Sequence, residues 1–444
     1  MSAAAQGWAW LVRAGGAVLG RGRGWLVRAG GAVRWRGRAL VALALAACAL
    51  AAVPSAAAAA LPAPPRLAAP AATVFEASTG QPVFARAAGQ RRLIASTTKL
   101  MTVLVARQAL PLGRVCTAPP YAAGPLESQI GLRAGERMSV HDLLIAAMLP
   151  SANDAANALA VCAAGSRAAF VARMDAQARA LRLRHSHFAT PVGLDEPGNY
   201  ASAADLVRLA LAVREDAFLR RVMDLPRARL RSGSHSRVVV NRNTLVREVP
   251  WIDGVKTGHT NAAGYILVAS GTRDGLTFVD AVLGDPSEAT RDADALALLK
   301  WAFASYRLAA PVARGQVEAR PSVRFRPDQH VDVVAARAVR FPLARDRTPR
   351  VAIQVPHELA GPLPRGARVG TLTVRVGRRA VARVALLTAR PVPAVGLLER
   401  LGRAIARPGS LVAVAALLAG SAVLLVRRRE GRRRRRRRAD MEAA

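Results

Sequence analysis

The sequence predicts an α+β fold, and three patterns carry that prediction. Residues 73–89, TVFEASTGQPVFARAAG, place two short apolar runs on either side of the turn-forming STGQP. Helical periods mark residues 97–110, 138–150 and 154–165. Strand-like GYILVAS (264–270) and LTFVDAVLG (276–284) then lead to a last helical stretch, ADALALLKWAFASY. Strands at both ends with helices between describe one domain over residues 71–308, whose first and last segments share a sheet.

Each element has a local reason. The 73–89 segment reads as a β-hairpin because Gly and Pro sit between its apolar runs. The helix over 97–110 is apolar on most faces, as a buried helix is. MSVHDLLIAAMLP opens with Ser139 and has Asp142 three residues on, a capping-box spacing, and Pro150 stops it. A further helix runs from Asp154 toward Gly165. The turn-rich GTRDG (271–275) joins the two late strands into a second hairpin.

Beyond Pro311 the character changes. Residues 312–390 show short alternating runs such as TLTVRV and AVARVALL, broken by LPRGARVG, and predict a small all-β module. Residues 396–407 read as an amphipathic segment.

The two ends predict export and anchoring. Residues 1–60 read as a signal region: an Arg-rich stretch, then the apolar ALVALALAACALAAVPSAAAAA, closed by small residues. The nonapeptide WLVRAGGAV occurs twice in it, at 10–18 and 25–33. Two copies make no solenoid. A Pro/Ala-rich linker follows over 61–70. Residues 408–426 are free of charge, near the lower length limit for a single transmembrane helix. The basic tail 427–444 that follows keeps this end cytoplasmic by the positive-inside rule. The expected location is therefore the cell membrane, with the domain between signal and anchor outside the cytoplasm.

The formal net charge is +36 over 444 residues. Its two ends, 1–38 and 427–444, supply 14 of that excess. Such a charge suits an anionic partner. Alanine and arginine dominate the composition, however, so GC-rich coding accounts for much of the arginine. The tail reads as a stop-transfer, lipid-contacting segment, and nucleic acid is not an expected partner. Cys116 and Cys162 lie in the exported part, where a disulfide is allowed; a bridge and two buried free thiols both fit. No CxxC or HExxH pattern is present, so neither a metal nor another cofactor is expected.

Only three of the 65 Lys plus Arg residues are lysine: Lys99, Lys256 and Lys300. A chain that uses arginine nearly everywhere keeps lysine where an amine must release and take back a proton. Arginine holds its proton in proteins. Ser96 and Lys99 lie one helical turn apart if a helix begins near Ser96. The helix N-terminus favours developing negative charge at Ser96, and burial lowers the pKa of Lys99. A serine beside such a base is an activated nucleophile. By itself SxxK is frequent. Ser151-Ala152-Asn153 follows Ser96 at 55 residues, directly after a helix stop, and Lys256-Thr257-Gly258 lies 105 residues further, before a strand.

In this order SxxK, SxN and KTG mark the penicillin-recognising serine enzymes. With AAMLPSANDAANALA, HFATPVGLDEPGNYASAADLVRLA, NRNTLV and DGVKTGHT, the chain resembles the D-alanyl-D-alanine carboxypeptidases, the low-molecular-weight penicillin-binding proteins of serine peptidase family S11. The resemblance covers about residues 70–308 and, more loosely, the β module and the anchor. It departs at Val192, where the family often has His, and in the long leader.

The resemblance implies a β-lactamase/transpeptidase-like domain, an antiparallel sheet with a helical subdomain. It makes Ser96 the acylated nucleophile, Lys99 its general base and Ser151 a proton relay. Asn153 would hold the substrate amide. Lys256 and Thr257 would bind the substrate's terminal carboxylate with help from Arg242, and Gly258 would let the strand backbone come close. Backbone N–H groups of Ser96 and His259 would form the oxyanion hole, and Asp195 would pair with His259. The implied partners are the peptidoglycan stem peptide, β-lactams as acylating inhibitors, and membrane lipid at the C-terminus. Two rival readings are a β-lactamase, for which Glu196 offers a carboxylate, and a non-catalytic wall-binding scaffold.

Overall fold

The computed structural model describes residues 60–396, 399–400 and 408–442. The signal region up to residue 59 and most of the amphipathic segment (397–398 and 401–407) lie outside the described residues.

Five antiparallel strands form the central sheet: β1 (Ala71–Glu76), β2 (Gln81–Arg86), β3 (Ile252–Thr260), β4 (Gly264–Arg273) and β5 (Leu276–Asp285), in the order β2-β1-β5-β4-β3. The first and last segments do share this sheet, with Thr73 opposite Ala281. All six residues of β1 are buried. A strand covered on both faces reads as a continuous apolar run rather than an alternation. Successive residues accordingly feed two cores. Phe75, Val268 and Val279 point into one, and Val74, Leu267 and Phe278 into the other. At the β4–β5 hairpin, Asp274 (φ 52°) and Gly275 (φ 76°) both take the left-handed region that a tight two-residue turn requires.

The longer helices among the described residues are α1 (Lys99–Ala109), α2 (Val140–Met148), α3 (Asn153–Ala164), α4 (Arg167–Ala180), α5 (Ala203–Glu215), α6 (Ala217–Asp224), α7 (Glu288–Ser305) and α8 (Pro408–Glu442); a single helical turn, Leu245–Glu248, precedes β3. Helix α1 is buried along its first eight residues and belongs to the first core, while α7 covers the second. The Ser139 hydroxyl caps α2 by accepting from the Asp142 N–H at 3.3 Å. The Asp142 carboxylate does not complete the reciprocal box; it accepts instead from Arg231 and Ser232. Cys116 and Cys162 form a disulfide, which ties the short strand Val115–Thr117 to α3 across 46 residues of sequence.

Helix α7 passes without a break into the strand Tyr306–Val312, so no linker separates the all-β module. The module's five-stranded sheet takes Val317–Ala319, Val333–Ala335, Arg379–Thr388, Arg368–Val376 and Pro349–Gln354 in that spatial order. It has its own core around Val333, Leu372, Val374, Val384 and Leu386. Helix α8 runs through both the apolar stretch and the arginine tail. Among the described residues no single helix is long and apolar enough to cross a membrane. The apolar side chains of α8 nevertheless stand exposed, Leu417 at 71%.

One sheet edge positions the site. Strand β3 is an edge strand, yet residues 254–258 are all buried. Neighbouring segments bury them: the turn that carries Ser96 packs on Gly258, and α6 packs on Gly254 through Met223.

Candidate active site

Ser96 sits in a 3-10 turn, Ala95–Thr98, that runs directly into α1 with Lys99 as its first residue. The turn is braced from within: the Thr97 hydroxyl donates to the Ile94 carbonyl at 2.6 Å. Ala95, immediately before Ser96, has φ 45°, a left-handed backbone that a β-carbon disfavours. Strained residues of this kind concentrate where a side chain must be aimed.

The Lys99 side chain is fully buried and its Nζ lies 2.9 Å from Ser96 Oγ. It also meets Asn153 Oδ1 at 2.5 Å and the Val192 carbonyl oxygen at 2.6 Å. The last two are acceptors only. In the neutral amine they take both N–H donors, and the remaining lone pair is then directed at the Ser96 hydroxyl. Burial lowers the Lys99 pKa from 10.5 to about 7, and the Arg242 guanidinium adds to the lowering; the carboxylates of Glu127 and Asp154 oppose it. The neutral form is thus reached near pH 7, which no guanidinium permits.

The Val192 carbonyl comes from the 191–199 loop, which lies on the serine turn. The Thr102 hydroxyl donates to the Pro191 carbonyl at 2.6 Å, and the Asn199 amide to Thr98 Oγ1 at 3.2 Å. Gly193 has φ 85°, and a β-carbon there would fall 2.1 Å from the Ala95 carbonyl oxygen. Only glycine fits this contact. The departure at Val192 is harmless to Lys99 because the backbone, not the side chain, makes the bond. Neither this carbonyl nor the need for Gly193 was read from the sequence, although a glycine inside TPVGLD was the available signal.

Ser151 follows the α2 stop with φ 65°, another left-handed non-glycine residue. Its hydroxyl is buried and makes no hydrogen bond among the described residues. Asn153, two residues on, opens α3. Its Oδ1 takes Lys99, and its Nδ2 donates to Glu127 Oε2 at 2.7 Å. Both ends of the amide expected to hold substrate are therefore engaged within the protein. Glu127 is a residue the sequence reading missed. It lies in a Gly- and Pro-bearing loop with no periodicity to single it out.

On β3, Lys256 is buried and its Nζ donates to the Thr257 carbonyl at 3.0 Å. Burial pushes its pKa well below the usual amine range, and the charges acting on it, Lys99, Arg242 and Arg291, are all positive. Thr257 is buried beside it. A β-carbon on Gly258 would lie 3.0 Å from the Ile94 carbonyl oxygen and 3.2 Å from the Thr97 nitrogen. Gly258 thus lets the serine turn seat against the strand. Arg242 is exposed, with its backbone N–H bonded to the Leu149 carbonyl, and it faces both lysines electrostatically.

The expected pairing of Asp195 with His259 is corrected. Asp195 Oδ1 accepts from Thr260 Oγ1 at 2.8 Å. His259 instead stacks on Tyr265, its cross-strand partner, with ring centroids 4.0 Å apart. Side chains alternate along a strand, so neighbours 259 and 260 face opposite ways and only Thr260 meets the loop. Glu196 is bonded through its backbone to Leu194 and Asn199; its carboxylate is hydrogen-bonded to neither Ser96 nor Lys99 among the described residues.

The family model for D-alanyl-D-alanine carboxypeptidases, peptidase S11, matches residues 58–287. The chain belongs to this family. Among its carboxypeptidase relatives, DacA of Escherichia coli (strain K12) is 29% identical over 350 residues, 75% of this chain and 86% of its own length. DacF of Bacillus subtilis (strain 168) is 28% identical over 69% of this chain and 81% of its own. The solved structure of penicillin binding protein 5 from Haemophilus influenzae superposes with a TM-score of 0.57 at 25% identity, covering 74% of this chain and 99% of that one. The Streptomyces K15 DD-transpeptidase does so at 0.52 and 30% identity, covering 55% and 100%. An alignment that covers 75% of this chain is longer than the domain over 71–308 and so extends beyond it. This carboxypeptidase family is penicillin-binding and acts on peptidoglycan, and the fold is its transpeptidase-like α+β domain with a β-rich module behind it.

Proposed function

We propose that the chain is a serine-type carboxypeptidase that removes the terminal D-alanine of peptidoglycan stem peptides through an acyl-enzyme on Ser96. The observation that carries this reading is the Lys99 amine, buried, 2.9 Å from Ser96 Oγ and held by two acceptor-only partners.

Ser96 Oγ attacks the carbonyl carbon between the two D-alanines as Lys99 Nζ takes its proton. The oxyanion develops at the N-terminus of α1, facing the backbone N–H groups of Ser96 and His259. Collapse breaks the C–N bond. The departing amine takes a proton from Lys99 by way of the Ser151 hydroxyl, and D-alanine leaves. Water then hydrolyses the Ser96 ester, which restores the hydroxyl. Lys256 supports the carboxypeptidase specificity. A buried cation with only a backbone acceptor is unfavourable, and the terminal carboxylate of the substrate relieves it, with Thr257 and Arg242 beside it. Edge strand β3 accepts the peptide as an added strand. A β-lactam presents a strained amide and a carboxylate to the same groups and acylates Ser96.

The domain works outside the cytoplasm, tethered by α8. The absence of charge over 408–426, the exposed apolar side chains of α8 and the arginines that follow directly support a membrane anchor at this end.

The test is labelling of the detergent-solubilised full chain with a fluorescent penicillin, followed by assay of D-alanine release. Covalent label on the unsubstituted chain, none on Ser96→Ala, and D-alanine release are expected. Label that persists in Ser96→Ala rules the mechanism out. Rapid penicillin turnover without D-alanine release would make the chain a β-lactamase.

A further inference from the structure

Asn153 can serve Lys99 only in one of its two amide orientations. The oxygen end accepts from the amine, whereas the NH2 end would oppose it with like donors. What selects the orientation lies on the other side of the amide. Glu127 Oε2 accepts from Asn153 Nδ2 at 2.7 Å, and an ionised carboxylate accepts only. Glu127 is itself held: Oε1 accepts from the Gly124 N–H at 2.9 Å, and Oε2 accepts from the Tyr121 hydroxyl. Its loop is pinned to the start of α3 by the Asn153 N–H on the Ser128 carbonyl at 2.7 Å. The Leu132 N–H on Asp154 Oδ2 at 2.9 Å adds a second tie. A directed chain results, from Tyr121 through Glu127, Asn153 and Lys99 to Ser96.

We propose that Glu127 is a positioning residue for acylation: its carboxylate fixes the polarity of the Asn153 amide and thereby turns the free electron pair of Lys99 toward Ser96. The proposal rests on the acyl-enzyme reading above. Glu127 acts through Asn153 and touches neither the nucleophile nor the scissile bond. It is half-buried and hydrogen-bonded into its ionised form, so it does not act as a base. Burial works against that ionisation, but the bonds from Tyr121, Asn153 and Gly124 outweigh it. The carboxylate has a second effect on the amine. The ionisable groups facing Lys99 are Glu127, Asp154 and Arg242, with the buried Lys256 amine coupled to it. Loss of the Glu127 charge leaves that set more positive and favours the neutral amine at lower pH.

The experiment measures the second-order rate constant for fluorescent-penicillin acylation of the full-length chain in detergent, from pH 5.5 to 10, beside its melting temperature. The variants are Glu127→Gln and Glu127→Asp. Glutamine keeps the size but presents an amide, which lets Asn153 take either orientation. The expected result is a folded Glu127→Gln chain whose rate falls by about tenfold or more. Its rising pH limb moves to lower pH, and Glu127→Asp recovers part of the rate. An unchanged rate and pH limb in Glu127→Gln would overturn the proposal. So would a rate loss that tracks a lowered melting temperature with the limb unmoved, since the loop would then be only a structural support. If the unsubstituted chain takes no label at all, the acyl-enzyme reading itself fails; if it labels and Glu127→Gln labels equally well, only the role of Glu127 fails.

Discussion

Lys99 and Lys256 are both fully enclosed, in a protein whose other Lys and Arg residues are all arginine except the exposed Lys300. Enclosure is a cost for a cation and a gain for a base. The pH dependence of acylation follows with a definite sign. Below about 7 the Lys99 amine holds a proton and has no free electron pair for the Ser96 hydroxyl; above it the pair is free. The acylation rate should therefore fall about tenfold per pH unit below pH 6 and level off above pH 8. A stopped-flow profile with a chromogenic penicillin reads this directly, and a rate flat from pH 5 to 8 would remove Lys99 from the role of base. Ser96, Lys99 and Lys256 were legible because the chemistry restricts them to few residue types at set intervals. Glu127 was not. A carboxylate that orients another side chain across 26 residues leaves no interval to recognise. Asp195 was legible as a loop carboxylate, but its partner was not, since strand alternation and not proximity in sequence selects Thr260.

At the scale of elements, the helices and strands were largely readable from their periods, and their ends from Ser139, Pro150, Gly165 and the Asp274-Gly275 turn. What could not be read is how irregular segments lie on them. The 191–199 loop contributes the Val192 carbonyl because Gly193 allows contact with the serine turn. Gly193→Ala adds a β-carbon in a left-handed conformation against a carbonyl oxygen. The expected outcome is a loss of roughly 2 kcal/mol or more in stability. Because the loop lifts from Lys99, at least a tenfold slower acylation should accompany it. Urea unfolding and penicillin labelling measure the two effects; normal values of both would show that the loop is not needed to hold the amine. Strand β3 makes the same point. The sequence placed Lys256-Thr257-Gly258 before a strand; the structure puts all three within β3, and the packing of the 95–98 turn on Gly258 makes that strand one wall of the site.

For the whole molecule, three regions differ in how they bury apolar surface: a two-core α+β domain, a β module with a core of its own, and an apolar helix ending in arginines. The exposed apolar side chains of α8 have no partner within the described protein and suit a bilayer. A chain that stops at residue 396 should leave the membrane fraction and keep its acylation rate within about twofold, because every group named in the site lies before the β module. Fractionation followed by penicillin labelling checks both halves, and a truncated chain that stays with the membrane would place the anchor elsewhere.

By itself the sequence determined which chemistry was present: a serine, two amines and an asparagine at recognisable intervals, in an α+β frame between an apolar leader and an apolar tail. Those features are local, and local steric and solvation rules suffice to read them. The tertiary structure alone decided which groups surround the Lys99 amine. Whether an amine points its electron pair at a hydroxyl depends on which acceptors occupy its other two sides. Here those acceptors arrive from residues 153 and 192, on segments that meet Lys99 only when the core closes around it.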